Sequence, residues 1–351
     1  MNRSIRRAGA ALGAAFFVIA LSAGPAFACG GLIGPNGAVN LLQTTTLAAY
    51  HDGAEHYITA FQFAGGGGAF GSLTPLPGIP SSVEKGGDWT LQRLIRETDP
   101  VPAFALGAAS AAVRDSAEEL MKVRIDALDI TVLRGGPVAV GQWAKDHGFR
   151  LPPDAPEVLD FYAARSPIFL AAVFDADAAA QRGQAVGDGT PVHITIPTDN
   201  PWVPLRILAL GKTAVERVDA SVYLLTDRSP ALLPAPTTDN GLALGHSAPA
   251  TQSLLDDLRS DRGMSWVPSS GWLTKVQIDA AASELGFDLA IDASGAGAPS
   301  RVMAGLDLPG ATVVVDRTAD LIRIVVGLTL TVAGIGGILL LVRRRPPLSM
   351  A

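Results

Sequence analysis

Apolar and polar positions alternate with a period of two through much of the chain. In "NLLQTTTLAAYHDGAEHYITAFQF" two β-rich runs flank Asp52-Gly53, and Tyr57, Thr59, Phe61 and Phe63 fall on one face of the second run. Successive strand side chains point to opposite faces, and Asp-Gly favours a tight turn, so this pattern predicts a β-hairpin. "VRIDALDITVL" alternates likewise, with Ile130 and Val132 set against Asp129 and Thr131. "IFLAAVF" reads as a buried strand, and "TPVHITIP", "VPLRILAL", "DASVYLLT" and "GWLTKVQID" as further strands. Helical spacing marks "DWTLQRLIRET" with Asp88 as its cap, "SAAVRDSAEELMKV", and "VAVGQWAKDHG" ended by Gly148. It also marks "PEVLDFYAAR", opened by Pro156, and "TQSLLDDLRS". "AGGGGAFGSLTPLPGIP" and "RSPALLPAPTTDNGLALGHSAPA" carry turn residues throughout and read as loops. The expected class is α+β, mainly antiparallel sheet with several short helices.

The hydrophobic pattern changes character at both ends. Arg3, Arg6 and Arg7 precede an apolar run from Ala8 to Leu21, and the triplet Ala26-Phe27-Ala28 stands directly before Cys29. A charged head, a short apolar middle and a small-x-small site are the parts of a signal peptide, which makes Cys29 the mature N-terminal residue. Towards the other end, "IVVGLTLTVAGIGGILLLV" begins at Ile324, ends at Val342 and holds no charge. At a rise of ~1.5 Å per residue it nearly covers a hydrocarbon core of ~30 Å, so a C-terminal transmembrane helix is expected. Arg343, Arg344 and Arg345 follow at once, and positive charge beside a span stays in the cytoplasm. The expected organisation is a signal peptide over 1–28, an extracytoplasmic α+β domain over 29–292, a tether over 293–320, a transmembrane helix over 321–342 and a cytoplasmic tail over 343–351. This is a single-pass protein of the cell membrane with its amino terminus outside.

The formal charge is −6, and the signal segment together with the chain from Ile324 onward holds six arginines and no acid, so the exposed part stands at −12. An acidic exterior does not seek nucleic acid or anionic lipid. A single cysteine excludes an internal disulfide and leaves Cys29 able to link two copies into a homodimer. Lipidation of Cys29 is disfavoured: bulky Phe27 precedes the cleavage site's last small residue, and one span already anchors the chain.

Candidate chemistry is sparse. His51, Asp52, Glu55 and His56 sit within six residues, but a zinc-protease helix needs histidines four apart, and these are five apart across a glycine turn. Asp175, Asp177 and Asp199 lie outside any twelve-residue calcium loop. "GHSAP", around Ser247, lacks the last glycine of a nucleophile elbow. The glycine run from Gly65 to Gly68 lacks the Lys-Ser/Thr of a phosphate loop. No catalytic residue, cofactor or metal site is assigned. The side chains nearest to a metal set are His51, His56, Asp175 and Asp177. Trp202, Trp266 and Trp272 offer aromatic faces to a sugar ring or a protein partner.

Cys29-Gly30-Gly31 behind the signal peptide, "ITAFQFAGGGGAFGSLTPLPGIP", "LDITVLRGGPVAVGQWAKDHGFRLP", "VPLRI", "VYLLTD" and "WLTKV" together resemble a bacterial family known as domain of unknown function 2330. The resemblance runs from Cys29 to Asp292. It implies an extracytoplasmic, membrane-tethered class and carries no activity with it. Two departures stand out. Gly34 replaces the second cysteine of the family's Cys-Gly-Gly-Phe-Phe-Cys, and Ser72 or Leu73 replaces its tryptophan in Phe-x-Trp-x-x-Pro. The functional expectation is a binding or assembly module at the cell envelope, with the membrane and an envelope protein or glycan as partners. The alternative is an envelope hydrolase, metal-dependent in one version, assembled from His51, His56, Asp175 and Asp199.

Overall fold

A computed structural model describes residues 31–35, 37–38, 44–62, 69–99, 119–183, 189–294 and 297–307. Cys29, the signal segment, Gly65 to Gly68 and the apolar run from Ile324 lie outside them. In chain order the elements are β1 (Gly31–Gly34), β2 (Gly37–Ala38), β3 (Thr44–His51), β4 (Ala54–Gln62), β5 (Phe70–Leu76), β6 (Ser82–Lys85), α1 (Thr90–Thr98), β7 (Glu119–Ile125) and β8 (Leu128–Arg134). Then come α2 (Pro137–Asp146), α3 (Ala155–Ala163), β9 (Ile168–Phe174), α4 (Ala176–Gln181), β10 (Gly189–Pro197), β11 (Trp202–Val203) and β12 (Arg217–Thr226). The last are β13 (Ala231–Leu233), β14 (Leu242–Pro249), α5 (Gln252–Ser260), β15 (Trp272–Ala281) and β16 (Leu289–Asp292). The fold is α+β, as expected. Among the described residues no helix is long and apolar enough to cross a membrane.

The hairpin at Asp52-Gly53 forms. Both turn residues take positive φ (50° and 76°), and His51 pairs with Ala54. That geometry matches the natural twist of the strands it joins. The hairpin lies inside a seven-stranded sheet of order β14-β15-β12-β3-β4-β10-β6. Only the β12–β3 pairing there is parallel. A six-stranded antiparallel sheet runs β2-β1-β5-β9-β8-β7, and a three-stranded one β11-β16-β13.

Both faces of the seven-stranded sheet are buried through its central strands, β12, β3 and β4. Ala48, Tyr57, Ile194 and Leu224, one cross-strand row, join the large core shared with the six-stranded sheet, α2 and α3. The alternate row, Leu47, Ala49, Ile58, Tyr223 and Leu225, faces Leu91 and Leu94 of α1 and Leu254, Leu255 and Leu258 of α5. The helix stripes are apolar at three- and four-residue spacing, as a helix lying on a sheet requires.

Five sequence expectations are corrected. The helix predicted over "SAAVRDSAEELMKV" is a strand where it is described. β7 pairs with β8 and packs Met121, Val123 and Ile125 on the core, so sheet pairing overrides helix propensity. "FGSLTPL" is not loop but the buried strand β5, between β1 and β9. Its Gly71 is there because Phe149 approaches: a β-carbon would sit 2.9 Å from that ring. The region after Asp227, read as loop, contains the edge strand β14, whose largely exposed side chains and bulge at Leu244/His246 hide the alternation. "VPLRILAL" forms a 3-10 turn over Arg206–Ala209 instead of a strand. There Asp288 accepts from the Leu205 and Arg206 N–H groups (2.6 and 2.9 Å), and Tyr162 Oη accepts from Ile207 N–H (2.8 Å). Side chains thus replace the ladder partners.

The fifth correction concerns the tether. Residues 297–307 pack on the body instead of leaving it: Ala304 is buried, and its carbonyl accepts from Asp288 N–H at 3.0 Å. The Met303 carbonyl accepts from Arg165. Arg165 and Asp288 form an ion pair with both side chains wholly buried. The guanidinium lies over Phe161, Trp202 and Tyr162, at 4.3, 4.5 and 4.9 Å from the ring centroids. Tyr162 donates to Asp288 at 2.9 Å, and burial, with the carboxylate beside it, holds the phenol well above its ordinary range.

Glu55 is fully buried in β4, and its one hydrogen bond among the described residues comes from Trp202 N–H at 3.4 Å. Burial pushes its carboxyl from 4.5 up to about 8, with the Trp202 contact opposing. An unfolded chain ionises this group near 4.5, the fold only near 8. Its contribution to stability is therefore full below the unfolded value and is lost as pH rises through 8. Glu55→Gln should match wild type in melting temperature near pH 4.5 and exceed it increasingly towards pH 8.5. Parallel profiles across that range would refute the buried neutral carboxyl.

Candidate functional site

α1 and α5 lie side by side, and a single carboxylate sets their relation. Asp261, at the end of α5, accepts from Asp88 N–H (3.0 Å), Trp89 N–H (3.0 Å) and Thr90 Oγ1 (2.8 Å). Two of these donors are the backbone N–H groups just ahead of α1 and the third is the hydroxyl of its first residue, so the start of the helix is tied down from 172 residues away in sequence, and Asp88 does not cap it as expected. Gly87 is required at this point, because a β-carbon there would collide with the Asp261 carboxylate and Thr90. Further along, Arg93 donates to Asp257 and Glu97, both at 2.7 Å, and Thr251 donates to Glu97 at 2.8 Å while capping α5.

With Leu91 and Leu94 turned into the core, Trp89, Gln92 and Arg96 are left on the outer side of α1. Together with Arg93 and Asp257 they line a groove of about 370 Å³. Trp89 is 37% exposed, one of few large apolar side chains so placed among the described residues. Arg96 is exposed and forms no ion pair among them. A second cleft, of about 440 Å³, lies by α3 and the 3-10 turn. Its charges are largely spent on each other: Arg206 pairs with Glu157, and Asp154 accepts from Gly211 N–H at 2.9 Å.

The same helix-bearing face of the seven-stranded sheet carries a histidine pair. His56 of β4 lies opposite Thr195 of β10, and His193 stands two residues away on the same face. His56 Nδ1 and His193 Nε2 are 2.9 Å apart. The Trp266 ring stacks on His56 with centroids 3.7 Å apart and planes within 6°. Burial pushes both imidazoles down to about 4, and for His56 the neighbouring His193 and His51 add to this. Both are neutral at pH 7.

The structure does not bring the sequence candidates together. His51 Nδ1 bonds Asp227 at 2.8 Å, and its Nε2 lies 3.4 Å from Asp52. Asp175 accepts from Arg124 at 3.2 Å and caps α4 through Ala178 N–H at 2.8 Å. Asp177 is exposed on α4, and Asp199 is exposed beyond β10. Among the described residues no three His, Cys, Asp or Glu side chains are placed to hold a metal ion. Ser247 sits on the edge strand β14 and contacts Trp272 Nε1 at 2.9 Å. Of the three tryptophans offered for stacking, Trp202 is fully buried and Trp266 covers His56. Trp89, which the sequence reading left among the helix faces, has the exposed ring.

Asp261→Ala should cost roughly 2–4 kcal/mol in urea unfolding, since it strips three hydrogen bonds made by a buried carboxylate. A loss below about 0.5 kcal/mol, the scale of an ordinary surface change, would mean that α1 is held by its leucines alone.

The sequence model of a bacterial family described as "Uncharacterized protein conserved in bacteria (DUF2330)" matches residues 23–231. This stretch includes α1, both histidines and the whole six-stranded sheet, and stops before α5 and Trp266. A search of curated proteins finds no match. Among solved structures, the chain is similar to baculovirus P35 at 10% identity, over 72% of this chain and 96% of that one, with a TM-score of 0.39. It is also similar to the caspase-8/P35 complex at 10% identity, over 72% and 90%, with a TM-score of 0.36. Likeness at this level does not establish a common fold. The family match covers more than half of the chain, which therefore belongs to the bacterial DUF2330 family.

Proposed function

We propose that this chain is an extracytoplasmic binding module, held at the cell membrane by one span from Ile324 to Val342, and that it binds carboxylate-bearing glycans of the envelope. The observation that carries the reading is the groove on α1, where an exposed indole stands beside Gln92, Arg96 and Asp257. Each part has a matching feature in an acidic sugar. The apolar C–H face of a pyranose packs on an indole, amide and carboxylate groups take hydroxyls, and a guanidinium grips a carboxylate in two-point fashion. The exposed part's net charge of −12 repels such a polymer elsewhere, so the exposed arginine concentrates attraction at one place. The signal-peptide pattern before Cys29 and the arginine stop after Val342 support the placement outside the membrane.

The test is retention of the detergent-solubilised chain on immobilised peptidoglycan fragments and on polygalacturonate. Trp89→Ala and Arg96→Ala should each weaken retention at least tenfold with the melting temperature unchanged, and a neutral glucan should not retain the chain. Equal retention of both variants, or of the neutral polymer, would reject the proposal.

A further inference from the structure

We propose that His56 and His193 form a divalent transition-metal site that takes Cu(II) in preference to Zn(II), separate from the groove on α1. Two ring nitrogens, His56 Nδ1 and His193 Nε2, stand 2.9 Å apart. With imidazole–metal bonds of ~2.0 Å, nitrogens at that separation subtend about 90° at a shared ion. That is the angle between neighbouring ligands of a tetragonal centre, which Cu(II) favours. A tetrahedral ion such as Zn(II) needs the nitrogens about 3.3 Å apart, so it has to push the strands' side chains open.

The surroundings resist such opening. β10 is hydrogen-bonded on both sides, to β4 and to β6, which fixes His193. The His56 ring is clamped by Trp266 at 3.7 Å. Thr195, on the same face, places its hydroxyl 3.4 Å from His193 Nε2, where an oxygen ligand or an ordered water of the ion fits. Glu84 lies directly opposite His193 in β6 and is exposed, which adds negative charge beside the site. His56 is only partly buried, so an ion has a way in. Binding involves no net loss of a proton. In the free pair one facing nitrogen carries the shared hydrogen. As the metal arrives that hydrogen is replaced on the outer nitrogen of the same ring, and both inner lone pairs become donors. The two histidines are 137 residues apart in sequence, so no local motif announces them.

The experiment is a titration of the full chain, in detergent and carrying Cys29→Ser so that no thiol competes, with CuCl2 and separately with ZnCl2. Calorimetry in two buffers of different ionisation enthalpy and tryptophan emission are read together. The expected result is one equivalent of Cu(II), heats independent of buffer, and Zn(II) at least tenfold weaker. His56→Gln and His193→Gln should each weaken Cu(II) binding at least tenfold. Trp266→Phe should keep the affinity and lose most of the quenching, which locates the ion even if a histidine variant fails to fold. Absence of Cu(II) binding, unchanged affinity in the folded histidine variants, or buffer-dependent heats from released protons would overturn the assignment.

Discussion

A buried arginine and a buried aspartate organise the part of the molecule where most connections meet. Ion pairs away from water carry a desolvation cost of several kcal/mol per ion, which is offset only when further hydrogen bonds satisfy most of the remaining lone pairs and protons. Asp288 meets that demand with the Arg165 guanidinium, the Tyr162 hydroxyl and two backbone N–H groups. Arg165 meets most of it with the Met303 carbonyl and three aromatic faces, while its Nε has no hydrogen-bond acceptor among the described residues. The partners come from α3, from the turn after β11, from the approach to β16 and from residues beyond 297. None of them can leave without stranding a charge. That is why the chain after β16 returns to the body, and why Gly305, at φ 74°, has to be glycine: a side chain there would run into Phe161.

The second organising element is the seven-stranded sheet, whose two faces do different work. One closes the large core with the six-stranded sheet, and the other carries α1 and α5. Both features with a chemical reading, the α1 groove and the histidine pair, belong to the helix-bearing side. They are held there by devices that stiffen without filling the surface. Asp261 pins the start of α1 to the end of α5, and Trp266, a few residues later, covers His56. The segment after α5 thus shapes both places.

Elements with strong local signals were legible. The Asp52-Gly53 hairpin, the buried run "IFLAAVF", the helices opened by Pro156 and capped by Thr251, and the α+β class all follow from turn chemistry and spacing. What escaped depends on distant partners. β5 looks like a loop because its glycine serves the close approach of Phe149, and the 3-10 turn looks like a strand because its acceptors, Asp288 and Tyr162, lie elsewhere in the chain. The site residues divide in the same way. His56 was visible, but the sequence set it beside His51, while the fold gives His51 to Asp227 and His56 to His193. Trp89 showed only as a helix position, since its exposure depends on where Asp261 anchors the helix.

The Arg165–Asp288 pair holds residues 297–307 and the 3-10 turn to the body. Amide hydrogen exchange of Asp288→Asn against wild type tests it directly. Protection should fall by orders of magnitude in peptides covering 203–209 and 300–307, while β3, β4 and β12 in the seven-stranded sheet keep theirs. Unchanged exchange in those two peptides would contradict it, and the terminal segment would then be held by apolar packing alone.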